Sequence, residues 1–419
     1  MAETNSSRAE APPSLKDAAW LKQPETVRVF AALSGEGIET RAVGGAVRDA
    51  LLGLPVTDVD FATTGVPETV MAHARKAGLK AIPTGIAHGT VTVVADGVSF
   101  EVTTLRRDVE TFGRHATVAF TTDWAEDARR RDFTLNALYA EADGTLYDPL
   151  GGYEDLQTGR VRFIGEAEAR IREDYLRILR FFRFNAYYGK GPLDAPGLLA
   201  CVRLRAGLAQ LSAERVAAEL KRLLLAPESF AAVETLFDHG LLSDILGSAP
   251  RLDRLKRLIG IEAAMASEPN AILRLAALSV FVTEDAPRLA ARFKLSNAEQ
   301  AVLALGADGT SDAALPDEDA AKRLLYQLGP ERFPPQMLLA WAASGAPSDD
   351  AEWQRALSLP DRWQAPEFPL RGPDITALGD FKGPEIGAML RAVEQHWIDC
   401  GFTEDRDQLL AKAKALAAS

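Results

Sequence analysis

Residues 43–63, VGGAVRDALLGLPVTDVDFAT, constrain this chain more than any other stretch. A short apolar run enters two glycines, VRDALL has helical periodicity, Gly53–Leu54–Pro55 stops it, and TDVDFAT alternates like a strand. Successive strand side chains point to opposite faces, so Asp58 and Asp60 are expected to project together while Val59 and Phe61 turn toward a core. Two carboxylates in one small volume repel each other; a divalent cation relieves that repulsion, and hard oxygen ligands favour Mg²⁺. Upstream, Gly44 and Gly45 open a helix whose first N–H groups lack helical acceptors, and Arg48 adds a cation one turn in. That is a cradle suited to a triphosphate. Asp-X-Asp and Gly-Gly are each common alone, but in the order strand, Gly-Gly, helix, strand they point to metal-dependent nucleotidyl transfer.

The surrounding pattern reads as a small mixed α/β domain. Residues 24–40 look helical, ETRAV is a short strand, and ETVMAHARKAG is a second helix. GTVTVVAD and VSFEVTTL form two strands about a turn, with further strand character in LNALYAEA and TLYDPL. From Gly165 onward strand signals almost vanish, and successive helices are broken by connections such as GKGPLDAPG and LGADGTSDAALPDED. The division expected is a frayed lead-in over 1–24, a head over 25–160, a helical neck over 161–225, and a helical body and tail over 226–419.

Composition narrows the partners. The net charge of −12 argues against a nonspecific DNA coater, because phosphate binding needs positive charge. Residues 160–183 nevertheless hold seven arginines against four acids, and Arg129–Arg130–Arg131 precede them, so a phosphate-rich substrate would be held locally. Cys201 and Cys400 read as reduced, buried thiols, and the five histidines are scattered without paired spacing, which argues against a zinc site. No stretch of eighteen apolar residues appears, and MAETNSSRAEAPPS lacks the features of a secretory signal. The expectation is a cytoplasmic protein with no membrane partner.

Taken together, GGAVRD and DVDFAT, RRRDFTLNALY (129–139), YDPLGGYEDL (147–156), EDYLRILRFFRF (173–184) and LSAERVAAELKRLL (211–224) resemble the class II nucleotidyltransferases. That family comprises CCA-adding tRNA nucleotidyltransferases and bacterial poly(A) polymerases, within the polymerase-β-like superfamily. LRGPDITALGDFKGPEIGAML (370–390) extends the resemblance weakly into the tail. It implies an α+β head with an elongated all-α neck, body and tail. It also implies Asp58 and Asp60 as ligands of two catalytic Mg²⁺ ions, Gly44, Gly45 and Arg48 on the triphosphate, and Arg131 with Asp132 at the nucleotide phosphate and sugar. A third carboxylate on a neighbouring strand is usual, and Glu101 in FEVTTL is the candidate, with an ordinary edge-strand glutamate as the alternative.

EDYLRILRFFRF, read as one helix, puts Tyr175, Ile178, Leu179 and Phe182 on an apolar face. Asp174, Arg177, Arg180 and Arg183 wind away from it, Glu173 is placed to steer Arg177, and Arg183 is expected to meet phosphate or the head. A carboxylate beside a guanidinium imitates the pairing edge of a base: it accepts from cytosine N4 or adenine N6, while the guanidinium donates to cytosine N3 and O2 or adenine N1. Uracil and guanine reverse the order and leave buried polar groups opposed. The resemblance assigns that role to Asp174 and Arg177.

The substrates implied are CTP, ATP and the 3′ end of tRNA. The poly(A) branch of the family carries an apolar pair, Gly, two basic residues and Phe soon after the Asp-X-Asp; GLKAIPTGIAHGTVTV (78–93) has no such cluster, which favours CCA addition. Poly(A) addition, partial CC or A addition, and a catalytically silent RNA-binding protein are the alternatives. The segment 105–120 reads as a flexible element or an exposed loop, and RLDRLKRLIG (251–260) as a helix with one basic side for the tRNA body.

Overall fold

The computed structural model describes residues 13–112, 115–307 and 317–417. It divides into two compact units, Met1–Leu241 and Leu242–Ser419.

In the first unit the elements run α1 (Pro24–Leu33), β1 (Thr40–Val43), α2 (Gly45–Leu51), β2 (Asp60–Thr63), α3 (Pro67–Lys76), β3 (Lys80–Gly85), β4 (Thr90–Ala95) and β5 (Val98–Thr104). They continue through β6 (Arg106–Phe112), β7 (His115–Phe120), α4 (Trp124–Arg129), β8 (Tyr139–Ala140) and β9 (Leu146–Tyr147). Five helices then follow, α5 (Gly152–Thr158), α6 (Ala167–Glu173), α7 (Leu176–Tyr188), α8 (Ala195–Arg203) and α9 (Ala213–Leu225), with α10 (Ser229–Asp238) closing the unit. One seven-stranded sheet has the order β3-β4-β5-β2-β1-β8-β9, and only the β2–β5 pair is parallel.

Period-two burial decides which face of this sheet stays open. Phe61, Val91, Val93, Phe100 and Val102 are buried, with Phe30 of α1 edge-on to Phe61 at 4.8 Å. Each such side chain contributes roughly 1.5–3 kcal/mol by leaving water. The alternate positions, Asp60, Glu101 and Thr103, face the other way and are not covered by α1 or α3. At the end of the sheet beyond β1, Trp124, Ala128, Tyr139, Leu105 and Ile164 form a second core cluster with Val43 and Ala62.

Several sequence readings are corrected. The helix expected over 24–40 ends at Leu33, and LNALYAEA supplies only the two-residue β8, Thr134–Asn136 being a short 3₁₀ turn. Within the segment 105–120, β6 and β7 pair antiparallel with their own register, separate from the main sheet. EDYLRILRFFRF is two helices: Asp174 lies between α6 and α7 with φ −155° and ψ 107°. It is an acceptor at the start of α7, its Oδ1 taking the Leu176 N–H at 3.1 Å, because a carboxylate there satisfies an orphan donor of the first turn.

The second unit contains only helices among its described residues. After α11 (Leu241–Leu246), which spans the division, come α12 (Leu252–Ala264), α13 (Ala271–Ser279), α14 (Asp285–Phe293), α15 (Asn297–Ala304) and α16 (Glu318–Ser344), interrupted at Gly329. Then follow α17 (Ala351–Leu357), α18 (Leu359–Arg362), α19 (Gly372–Thr376), α20 (Gly383–Asp399) and α21 (Arg406–Ala417). The basic side expected on 251–260 is not a single solvated face: Arg254 is buried and donates to the Gly306 carbonyl at 3.2 Å, Arg251 lies over the Phe281 ring, and Arg257 donates to the Ala342 carbonyl. A buried ion pair, Arg274–Glu262 at 2.7 Å, ties α13 to α12. Cys201 is buried as expected, but Cys400 is exposed, four residues beyond His396, whose Nε2 is 3.2 Å from Glu404 Oε1. Among the described residues no helix is long and apolar enough to cross a membrane.

Candidate active site

The open face of the sheet forms one wall of a cavity of ≈ 530 Å³, and α7 with the start of α9 forms the other. Gly44, Gly45, Arg48, Asp60, Glu101, Arg131, Asp132, Asp174, Arg177, Arg180 and Arg183 all line it, so eleven of the twelve residues singled out in the sequence meet in one place. Asp58 is the twelfth; it stands two residues before Asp60, just outside β2, with Val59 buried between them. Exposure alternates across the Asp-X-Asp, with Asp58 and Asp60 exposed and Val59 buried, and only its second member belongs to the strand.

Asp60 carries the clearest electrostatic signature. Its surface opens into the cavity, yet the walls crowd it, and this desolvation together with the nearby Glu101 and Asp58 carboxylates pushes its pKa up to about 6, against a smaller lowering by Arg131. Parallel pairing of β2 with β5 sets this up: Phe61 lies opposite Val102, so the residues preceding them, Asp60 and Glu101, sit side by side on the open face. Asp60 and Glu101 side by side, with Asp58 just before the strand, offer hard carboxylate oxygens, the donor chemistry that fits a divalent cation.

Beside the carboxylates stands the glycine turn. Gly44 adopts φ +72° and ψ −117°, a backbone that disfavours any side chain, and its amide bonds to the Leu138 carbonyl at 3.0 Å. A Cβ there would lie 3.7 Å from the Asn136 carbonyl and 4.0 Å from Arg131 Nη1, so strain excludes it rather than lack of room. Arg48, 7% exposed, donates to Asp49, to Asn136 Oδ1 at 2.6 Å and to Tyr188 Oη at 2.7 Å.

The arginines arrive paired. Arg131 donates to Asp127 at 3.0 Å and to Tyr139 Oη at 3.2 Å; burial would raise the Asp127 carboxyl, but Arg131 and Arg130 hold it at about 2. Asp132 is likewise held at about 2 by Arg180 and Asn136 against burial, and both its oxygens accept from protein groups: Phe133 N–H and Asn136 on one, Arg180 on the other. It anchors Arg180 instead of presenting an open carboxylate. Glu173 takes Arg177 at 2.5 Å, as its spacing suggested. Arg183, which also lines the cavity, is held by Glu219 of α9, 3% exposed, which accepts its Nε at 2.5 Å.

Asp174 and Arg177 make no side-chain bond to each other. Asp174 Oδ2 accepts from Arg215 at 2.6 Å, whereas Arg177 spends three N–H bonds on Glu173 and on the Arg170 and Arg130 carbonyls. A guanidinium has five N–H groups, so about two remain for a ligand, the number a cytosine edge accepts through N3 and O2. Arg215, Glu219, Asn136 and Tyr188 were not singled out in the sequence. Arg215 and Glu219 carried a signal, one turn apart on a helix beside an arginine stripe; Tyr188 carried none.

Comparison with known proteins agrees with this geometry. Residues 40–162 match the family described as the Poly A polymerase head domain, and residues 198–255 match a probable RNA and SrmB-binding site of polymerase A. The chain is 36% identical to the mitochondrial CCA tRNA nucleotidyltransferase 1 of Mus musculus, over 90% of this chain and 87% of the relative. It is 33% identical to the CCA-adding enzyme of Geobacillus stearothermophilus, over 92% and 95% of the two chains. Among solved structures, the Bacillus stearothermophilus CCA-adding enzyme in complex with CTP superposes with a TM-score of 0.74 at 30% identity, covering 94% of this chain and 97% of that one.

Proposed function

Because the chain belongs to the CCA-adding tRNA nucleotidyltransferases, whose relatives match it over most of its length, we propose that the cavity on the open sheet face is the nucleotide site of that reaction. The protein is a nucleotidyltransferase that adds C, C and A to the 3′ end of tRNA, using CTP and ATP. The poly(A) reading shares the head-domain family, but relatives named for CCA addition and matched over most of their length favour CCA addition.

Asp58, Asp60 and Glu101 are our assignment for the divalent metal that the family requires, with Mg²⁺ as the ion and two ions as the number. Bound there, such a pair lowers the pKa of an attacking 3′-hydroxyl and offsets charge on the departing pyrophosphate. The chain's own part is positioning. The first N–H groups of α2, beginning with Gly45, and the Arg48 guanidinium receive the triphosphate, Arg131 adds positive charge beside it, and the base lies against Asp174 and Arg177. Arg180 and Arg183, fixed by Asp132 and Glu219, brace that wall. Electrostatic stabilisation by groups already in place needs no reorganisation as charge shifts. In this reading the neck, 161–225, chooses the nucleotide, and the body and tail, 226–419, hold the tRNA.

The observation that carries the reading is the placement of Asp60 beside Glu101 at the edge of an arginine-rich cavity, where burial first and the Glu101 carboxylate second raise its pKa to about 6. The test is incubation with Mg²⁺, single labelled nucleotides and tRNA ending before, within or after CCA. Two C then one A, with no further growth, is expected. Unlimited A on any RNA would identify a poly(A) polymerase, C alone or A alone a partial enzyme, and no incorporation despite tight binding a silent scaffold.

A further inference from the structure

The hydrogen bonds behind the cavity form a continuous chain that leaves α7 and returns to it. Tyr188, on the last turn of α7, accepts from Arg48 Nη2 at 2.7 Å; Arg48 Nη1 donates to Asn136 Oδ1 at 2.6 Å; Asn136 Nδ2 donates to Asp132 Oδ1 at 2.9 Å; Asp132 Oδ2 accepts from Arg180 Nε at 2.7 Å. Arg180 is again on α7. Arg177 and Tyr188 are eleven residues apart, which at 100° per residue puts them about 20° from one another on the same helix face and about 16 Å apart along its axis. One rigid helix thus carries a base-reading group near its start and, near its end, the acceptor that holds an arginine of the triphosphate cradle.

The geometry points to Tyr188 as a positioning residue for the nucleotide: its hydroxyl clasps Arg48 and so fixes the distance between the triphosphate cradle and the base-reading end of α7. This rests on the reading of the cavity as the CTP and ATP site. Tyr188 does not line the cavity, and its phenol stays protonated, pushed up to about 12 by burial and by the facing Asp49 against the lowering by Arg48. The guanidinium also lies 4.2 Å from its ring centroid, so ring and hydroxyl act together. Arg48 spends Nε and both terminal nitrogens on Asp49, Asn136 and Tyr188; these four bonds leave about one of its five N–H groups for phosphate. A side chain with so little freedom serves phosphate only if its partners aim it, and Tyr188 is the one partner among the three that belongs to the base-reading helix.

The experiment uses the full chain and Tyr188→Phe, which keeps the ring and removes only the hydroxyl. With tRNA lacking CCA and tRNA ending in CC, KM for CTP and for ATP is expected to rise together by about tenfold, the scale of one bond to a charged group, with kcat within about twofold. The melting temperature is expected to stay within about 2 °C. Tyr188→Gln, which restores an acceptor, is expected to recover part of the loss. In Arg48→Met, which has no donor, the Tyr188→Phe change is expected to add nothing, since the bond it removes is already gone. An unchanged KM, a loss confined to one nucleotide, or effects that simply add would overturn the proposal. Calorimetric titration with CTP reads the clasp without turnover, so a wild-type protein that binds CTP but transfers nothing sinks the functional reading alone.

Discussion

Arg177→Ala removes the two guanidinium N–H groups left over for a base and leaves the three protein acceptors behind. A hydrogen bond to a charged group is worth about 1.5–3 kcal/mol. Cytosine offers two acceptors to the guanidinium, N3 and O2, so CTP is expected to lose about 3–6 kcal/mol of transition-state binding, or roughly 10²–10⁴ in kcat/KM. Adenine offers only N1, and ATP loses about 1.5–3 kcal/mol, or roughly 10–10². The variant is therefore expected to slow C addition more than A addition and to admit UTP, because the donors opposing uracil N3–H are gone. Initial rates of single additions, C on tRNA lacking CCA and A on tRNA ending in CC, measure both losses, and melting curves separate them from the structural cost of stranding Glu173. Equal losses for CTP and ATP with uracil still excluded would refute the donor count and move base reading elsewhere in the cavity.

Asp58→Ala and Asp60→Ala are each expected to abolish transfer while leaving tRNA affinity within about twofold, as a filter-binding titration would show; near-normal turnover in either would remove the metal assignment. The raised pKa of Asp60 also fixes a direction with pH: metal-free protein loses stability from this group as pH rises from about 4 to 6, because the folded state keeps a proton that the unfolded chain has already released. Stabilisation by added Mg²⁺ is expected to grow across the same window, and melts with and without the ion from pH 4.5 to 7 would record it; a flat response would contradict the crowding. In the second unit, Arg274→Ala strands the buried Glu262 and is expected to cost about 3–5 kcal/mol, whereas replacing both residues with leucine recovers most of it in denaturant titrations.

The cavity was legible because its main groups are local patterns. Gly44–Gly45, Asp58 and Asp60 announce themselves through turn chemistry and strand parity, and Glu101 follows from the same parity one strand away. What stayed hidden depends on chain segments far apart in sequence. Asp174 looked like a helical residue because composition does not mark the break between α6 and α7, and its partner Arg215 lies forty-one residues on. The partner of Arg183 stayed hidden because nothing local reveals Glu219, thirty-six residues on. Tyr188 and Arg48 are 140 residues apart, beyond any periodicity argument. The β6–β7 pairing escaped because charged, alternating residues read equally well as an exposed loop.

The pre-paired arginines decide how the protein behaves among the polyanions of a cell. Asp127, Asp132, Glu173, Asp174 and Glu219 already neutralise the cavity's cations, so an arriving phosphate must share each guanidinium with an internal partner instead of meeting bare charge. Only a molecule that compensates for that sharing at several points at once gains entry, which makes heparin and random duplexes poor competitors for a nucleotide of the right length.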